Sequence, residues 1–458
     1  MTETTPAPTT VGARDERADR LRERLVGLAR GEITGIAGMD LGLDYRDGSL
    51  RLRGHRADDL LDRYGSPLLV FDAERVRSNA RALREAFGRH FSDVRLCYAM
   101  KACYVGPVLR TLLEEGVGLE TMSDLELQLA QAHGARGPDL CSNGIGRSDA
   151  YNRRTAAASP FLTVVDAESD VAALERAVSG PDRLPVAVRV TPPSRDSGLF
   201  DRSGSKLGAD HSGGSFDRVL QRCLASDRLQ VAGLHAHQLT HCADLEQFRS
   251  AVRALAAVAV DAEHRYGIRF TYVDIGGGLE SRFLFERAGA RIEDFAAAAA
   301  KELAVLGHEV TLVLEPGRWL VADAATVLCT VSGVKHNSGR EWVIADAGAS
   351  LLIPLPELVY HPLPVRLDGR PWRPTAVGDQ TCDAQNVLCQ DAELPPLETG
   401  DRLALLNCGA YTTVFSSAWG HRLPTTLLVD GDRPPEVVFG PEQQSAFWQA
   451  LHGVDLTF

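Results

Sequence analysis

"LCYAMKACYVGPVLRTLLEEGVGLETMSDLEL", residues 96–127, holds one full unit of a repeating pattern and the start of the next. The apolar run "LCYAM" ends at Lys101, and the helical stretch "VGPVLRTLLEEG" (105–116) follows. A second run, "GLETMS", then leads into "DLELQLAQAHG". The same alternation occurs at "PLLVFD" with "AERVRSNARALREAFGRH" (67–90) and at "FLTVVD" with "AESDVAALERAVSG" (161–180). Further strand-like runs are "LPVAVRVTP", "LQVAGLHAHQL", "FTYVDIGGG" and "VTLVLEPGR" (310–318). Short apolar runs alternating with helical periodicity imply parallel βα units, and about eight or nine of them in sequence fit a (β/α)8 barrel better than an open sheet.

Outside that stretch the rhythm changes. After Arg318, "AATVLCTVSGVK", "EWVIADAG", "RLALLNCGAY" and "TTLLVDG" are strands with little helix between them, which predicts a β-sandwich or β-barrel domain. "LDYRDGSLRLRG" (43–54) alternates around an Asp-Gly turn and predicts a hairpin. The expected organisation is a polar extension over 1–35 with a short amphipathic helix at 21–30, then a hairpin segment over 36–66 that joins the β domain. A barrel over 67–320 and a C-terminal β domain over 321–458 follow.

Bulk composition narrows the function. With 61 acidic and 49 basic residues the net charge is −12, so no electrostatic footprint for nucleic acid or anionic lipid is present. No run of about 18 apolar residues marks a membrane span, and the N-terminal stretch lacks the apolar core of a signal peptide. The nine cysteines are scattered singly, with no CxxC, which argues for a reducing, cytoplasmic setting over a disulfide framework or zinc finger.

Catalytic groups of a barrel sit at the C-terminal ends of its strands. Lys101, one of only four lysines, ends a strand run. A desolvated lysine there is expected to have a lowered pKa suited to Schiff-base chemistry, the alternative being a surface lysine that happens to end a strand. Gly276, Gly277 and Gly278 follow another strand and can offer backbone N–H groups to a phosphate, or simply make a tight turn. Glu315, three residues before Arg318, ends a third strand. A carboxylate there can pair with a protonated pyridine nitrogen, or form an ordinary ion pair with the arginine. In "GLHAHQLTH", His235, His237 and His241 have an HxHxxxH spacing. A metal site lacks a further nearby ligand set, so no metal is assigned. His237 is read as stacking on a flat ring, or as a core histidine. These signals converge on one ligand with an aldehyde, a phosphate and a pyridine nitrogen, pyridoxal phosphate.

The order of these motifs resembles the fold-type III pyridoxal-phosphate decarboxylases, the diaminopimelate/ornithine decarboxylase group, over about residues 43–425. "YAMKA" resembles the family's lysine strand, and "LETMSDLEL" its D-x-x-S-x-x-E turn, with Glu120 where Asp is usual. "VAVRVTP" with "SKLG" resembles its R-V/I and S-K-F-G stretches, "HAHQLT" its H-x-H-x-G-S, "DIGGGL" its glycine loop, and "EPGR" matches outright. "TCDAQN" and "CGAYTTVFSS" resemble its Cys-Asp/Glu and G-A-Y segments. The resemblance implies that Lys101 binds the cofactor's aldehyde and His237 stacks on the ring. It implies that Glu315 pairs with the pyridinium and that Arg189 lies near the cofactor. Thr240, Gly276, Gly277, Gly278, Arg318 and Tyr411 would hold the phosphate end. Cys382 would protonate Cα after carbon dioxide leaves. Asp383, Arg422 and Trp419, with Arg318 and Tyr411, would face substrate. It also implies a homodimer, with the Cys-Asp loop entering the partner's site.

The departures fall at the substrate end. His237 is followed by Gln238-Leu239-Thr240, and Cys382 by Asp383-Ala384-Gln385-Asn386. Where diaminopimelate enzymes carry Asn-Tyr-Asn-x-Arg-Pro, this chain reads Ala418-Trp419-Gly420-His421-Arg422-Leu423, and only Arg422 matches. The expectation is a decarboxylase acting on an amino acid or a carrier-bound or amide-linked conjugate, in secondary-metabolite or siderophore biosynthesis. Alternatives are diaminopimelate decarboxylation in lysine biosynthesis, an alanine-racemase-like enzyme, which would place Arg rather than Glu at the pyridine, and a non-catalytic homologue.

Overall fold

The computed structural model describes residues 41–193, 205–348, 350–352, 360–417 and 419–454. The polar extension over 1–35, the helix expected at 21–30, and Ala418 lie outside them. The described chain begins with three short antiparallel strands, β1 (Leu43–Arg46), β2 (Ser49–Leu52) and β3 (His55–Arg56). Asp47 and Gly48 both take positive φ, 52° and 71°, as the expected two-residue turn requires. The hairpin joins the C-terminal half of the chain through Leu50 N–H to the Val365 carbonyl, 2.9 Å, and Leu367 N–H to the Gly48 carbonyl, 2.8 Å.

The strand β4 (Leu68–Asp72) is the first correction to the sequence reading. "PLLVFD" was expected to open the barrel, but β4 runs antiparallel to β14 (Ala325–Asn337) in a second sheet. A strand apolar on both faces has the same sequence pattern in either sheet, and only its partners tell them apart. The helix that follows, Ala73–Gly88, packs on the barrel side, capped by Asp72, whose carboxylate accepts the Glu74 and Arg75 N–H groups.

The barrel proper comprises eight parallel strands. They are β5 (Val94–Ala99), β6 (Gly118–Thr121), β7 (Leu140–Ser142), β8 (Leu162–Val165), β9 (Leu184–Thr191), β11 (Leu229–His235), β12 (Tyr272–Asp274) and β13 (Thr311–Leu314). A two-residue strand, β10 (Ala209–Asp210), flanks β9. Pairing of β13 with β5 and of β8 with β9 closes the ring. Alternate residues divide between two cores. Cys97, Cys141, Val164, Ala187 and Val313 form an inner cluster, while Leu96, Tyr98, Val165, Val186 and Leu312 join the layer shared with the helices. These five inner positions are small or β-branched, which fits the narrow lumen, and Leu162 and Ala232 join them in the cluster. Cys97 and Cys141 are there as small apolar fillers, and all nine cysteines are free thiols.

The second sheet is built on the 13-residue β14. Its first half pairs with β4 and with β19 (Arg402–Leu406), and its second half with β15 (Arg340–Ala345). The sheet is completed by β16 (His361–Pro364), β17 (Arg373–Asp379), β18 (Val387–Leu394), β20 (Thr425–Val429) and β21 (Glu436–Phe439). Among the described residues no helix is long and apolar enough to cross a membrane.

The 3-10 turn Ala322–Ala324, which follows the short helix Arg318–Val321 after β13, is tied to the helix over 73–88 by a buried ion pair. Arg75 Nη2 lies 2.6 Å from Asp323 Oδ2, and Asp323 also accepts from Asn79 Nδ2 at 2.7 Å and from the Phe283 N–H at 3.1 Å. Both charged side chains are essentially closed to solvent. Asp323→Ala leaves the Arg75 guanidinium buried without its carboxylate, and the expected loss is about 3–5 kcal/mol of unfolding free energy, read from chemical denaturation. A loss below about 1 kcal/mol contradicts this account of the pair.

Candidate active site

Eight strand ends converge at the barrel mouth, and chemistry-bearing side chains occupy several of them. Lys101 lies in a single 3-10 turn, Met100–Ala102, directly after β5. Its Nζ donates to Glu120 Oε2 at 2.9 Å, Glu120 being the third residue of the adjacent β6. Ser123 caps the next helix by accepting the Glu126 N–H, and Glu126 returns a carboxylate oxygen to the Met122 N–H at 2.7 Å. That reciprocal cap fixes the turn that follows Glu120.

Glu315 follows β13 and is buried. It accepts from Asn143 Nδ2 at 3.1 Å and from His235 Nε2 at 3.3 Å. Burial holds His235 below its ordinary value, so the ring is neutral and its Nε2–H donates to Glu315. Burial opposes ionisation of Glu315 as well, but His235 and then Lys101 outweigh it and hold the carboxyl below the usual range. An anion is thereby fixed at the mouth, as a protonated pyridine nitrogen requires.

The glycine loop and His237 fit together. The Gly277 N–H donates to His237 Nδ1 at 3.1 Å, which fixes the ring. A Cβ on Gly277 would stand 2.2 Å from the Glu315 carbonyl oxygen, so only glycine lets the loop pass between His237 and β13. Around the loop, Arg318 Nε lies 3.3 Å from Glu280 Oε1, and its guanidinium sits 4.9 Å from the centre of the Tyr411 ring. His241 Nδ1 is 2.9 Å from Glu280 Oε2, and Arg318 Nη2 donates to His241 Nε2 at 3.2 Å. The Tyr411 N–H donates to the Ala102 carbonyl at 2.8 Å, which locks the G-A-Y segment onto the Lys101 turn. Ala99 N–H to the Pro316 carbonyl, 3.2 Å, does the same for "EPGR". Arg189 is paired across the sheet with His235 in register, 3.7 Å from Asp166. Thr240 is half-buried beside His241.

Lys101, Glu120, His235, His237, the three glycines, Glu315, Arg318 and Tyr411 thus come together. Cys382 and Asp383 do not. They follow β17 at the outer edge of the second sheet, both exposed, with the Asp383 carboxylate accepting the Gln385 N–H at 2.9 Å. Trp419 and Phe415 are each 49% exposed, and Arg422 is exposed near Asp346. A cavity of about 210 Å³ lies beside Tyr104, Val105, Thr413, Leu423, Pro424 and Phe439, and among the described residues no charged side chain lines it. Sequence reasoning missed Asn143, which follows a three-residue strand with no periodic signal. It also missed Glu280, one residue beyond the quoted glycine loop.

One expectation about Lys101 is overturned. Burial does act to lower its pKa, but the charges of Glu120 and Glu315 more than compensate, and the net shift is upward. A desolvated lysine loses its proton readily only where no carboxylate faces it.

The donor set fits pyridoxal phosphate. An amine, a buried anion, an imidazole face and a glycine cradle beside a guanidinium match its aldehyde, pyridine nitrogen, ring and phosphate. Fold and site together define a pyridoxal-phosphate enzyme. A family model described as pyridoxal-dependent decarboxylase, pyridoxal-binding domain, matches residues 73–322. Relatives include a diaminopimelate decarboxylase of Methanothermobacter thermautotrophicus, 30% identical over 405 residues and spanning 83% of this chain and 91% of that one. Another, from Actinosynnema pretiosum subsp. auranticum, is 30% identical over 414 residues, 85% of this chain and 90% of that one. A crystal structure of diaminopimelate decarboxylase from M. jannaschii superposes with a TM-score of 0.80 at 24% identity, over 88% of this chain and 96% of that one. A lysine/ornithine decarboxylase complexed with putrescine, from Vibrio vulnificus, gives 0.67 at 23% identity, over 81% and 96%. At those identities the two structures speak to the fold. The chain belongs to the fold-type III pyridoxal-phosphate-dependent decarboxylases, the diaminopimelate/ornithine decarboxylase family. It is a carboxy-lyase that acts on an amino acid, which sets aside the racemase-like and non-catalytic readings.

Two measurements test the geometry. Borohydride reduction of the loaded protein followed by peptide mapping is expected to place the pyridoxyl group on Lys101; a label on Lys206, Lys301 or Lys335 contradicts the assignment. The second concerns Glu120. Burial pushes its carboxyl up to about 7, with the Lys101 ammonium opposing. Unfolded, it releases its proton near 4.5. The folded state therefore holds the extra proton between those values, so stability falls as pH rises through that window. Glu120→Gln removes the ionisation, and denaturation midpoints across the window are expected to show a shallower decline than in the unsubstituted protein.

Proposed function

We propose that the chain decarboxylates an α-amino acid at Cα, with Lys101 bonding the cofactor's aldehyde and Glu315 facing its pyridine nitrogen. When bound, pyridoxal phosphate supplies the electron sink for the pair left on Cα as carbon dioxide departs. The observation that carries this reading is Glu315, a buried carboxylate kept ionised by donors from two different strand ends. Its charge would favour a proton on the pyridine nitrogen of the bound cofactor. His237, fixed by the Gly277 N–H, presents a flat ring, Thr240, Arg318, Tyr411 and the glycine loop would hold the phosphate end, and Arg189 would lie near the cofactor.

Cys382 is proposed as the group that returns a proton to Cα, with Asp383 beside it at the substrate end. Both are exposed and outside the chain's own cluster, so the reading requires a homodimer in which this segment completes the partner's site. Trp419 and the cavity beside Tyr104 and Thr413, which has no charged side chain among its described lining residues, favour a substrate less charged at its far end than diaminopimelate. Arg422 is kept as a candidate for a distal carboxylate. A second reading, diaminopimelate itself, is favoured by the name the relatives share. Specialised biosynthesis and a carrier-bound substrate gain no support from those names.

Glu315→Gln is expected to leave the protein folded and cofactor-loaded, yet to lower kcat by about 100-fold, equivalent to about 2.7 kcal/mol of transition-state stabilisation. An unchanged kcat contradicts the role. Carbon dioxide release from meso-diaminopimelate, ornithine, lysine, arginine and amide-linked amino acids decides the substrate. Efficient turnover of diaminopimelate overturns the first substrate reading in favour of the second.

A further inference from the structure

Asp274, the last residue of β12, has no part in the reading above. It is fully buried. Its Oδ1 accepts the Gly276 N–H at 2.8 Å, while its Oδ2 has no hydrogen-bond partner and no access to solvent. One ligand atom each of Asp274, Glu315 and Cys141 lie within 4.8 Å of one another, and Cys141 Sγ is 3.9 Å from Glu315 Oε1. Two carboxylates this close and this dry do not both ionise, so one keeps a proton.

The two acids are not equivalent. Glu315 receives N–H groups from Asn143 and His235 and feels the Lys101 charge. Asp274 receives one backbone N–H and faces the Glu315 anion. The proton therefore belongs on Asp274. Resting on the role of Glu315 given above, we propose that Asp274 is a protonated acid whose Oδ2–H points to the Glu315 carboxylate. It is a positioning residue that sets how strongly Glu315 competes for the pyridine proton.

Burial first, and then the Glu315 charge, push the Asp274 carboxyl well up, in agreement with the geometry. The other titratable groups around the pair are Cys97, Lys101, Glu120, His235, His237 and Cys141. The same three atoms would suit a metal ion only with a thiolate and two carboxylates, and burial pushes the Cys141 thiol well up. A proton is the counter-charge the cluster accepts. A hydrogen bond into Glu315 lowers its basicity, and the proton it shares with a pyridine nitrogen stays on the nitrogen.

Asp274→Asn keeps an acceptor for Gly276 and an N–H for Glu315 but cannot ionise. Infrared difference spectra of the full-length protein, unsubstituted minus Asn, are expected to contain one deuterium-sensitive protonated-carboxyl band at neutral pH; no such band overturns the proposal. Cofactor titration by visible absorbance is expected to show Asn within about threefold of the unsubstituted affinity and Asp274→Ala weaker by about tenfold. Equal losses in Asn and Ala overturn it. Should the variants not fold, neutron diffraction from the unsubstituted protein reads the same deuteron on Oδ2, and a bare carboxylate there refutes the assignment. The infrared and neutron readings do not depend on what Glu315 does to the cofactor, which Glu315→Gln tests separately.

Discussion

Three buried carboxylates, Glu120, Asp274 and Glu315, share the barrel mouth with one ammonium, Lys101, whose side chain is one-third open to solvent. At the ordinary values all three acids would be ionised, and the cluster would carry a net charge of minus two in a medium that tolerates almost none. The surrounding structure resolves this imbalance. Asn143 and His235 are aimed at one acid only, Lys101 sits against another, and the third receives a single backbone N–H from Gly276 of the glycine loop. Each donor comes from a different strand end, so the charge pattern exists only when the ring of strands is closed.

The phosphate-side residues show the same economy. Arg318 is oriented by Glu280 and His241 and laid along the Tyr411 ring before any ligand arrives. A guanidinium already braced on two sides loses little rotamer freedom on meeting an anion. Tyr411 is in turn tied by its backbone to the Lys101 turn. A main-chain hydrogen bond thus fixes the amine end of the site against the phosphate end.

Much of this was legible because a barrel puts its chemistry where apolar runs stop. Lys101, Glu315 and the three glycines each follow such a run, so a pattern read for secondary structure also located the site. Legibility failed where a run carried no direction. The β4 segment looked like a barrel strand because burial on both faces erases alternation. Strands such as β16 ("HPLP") and β17 ("RPTAVGD") are absent from the strand runs read in the sequence, because their prolines and glycine weaken the strand signal. The direction of the Lys101 shift was misread because it depends on a carboxylate 19 residues away, whose proximity only the β5–β6 pairing creates. Glu280 and Asn143 carried no pattern of their own, and their partners are distant in sequence.

The position of β4 bears on how the chain is assembled at the ribosome. β4 lies between β14 and β20, strands that begin more than 250 residues later, while everything needed to close the barrel lies before residue 315. As synthesis proceeds from the N-terminus, the barrel's strands emerge in order and each finds a neighbour within a short wait. β4 emerges first of all these and has no partner until the last third of the polypeptide is being made. Its four fully buried residues, "LLVF", stay exposed through that interval, an apolar strand with open edges on both sides. Nascent chains of this protein thus carry an unpaired apolar strand for most of their synthesis, until β14 and β20 arrive to cover its two edges.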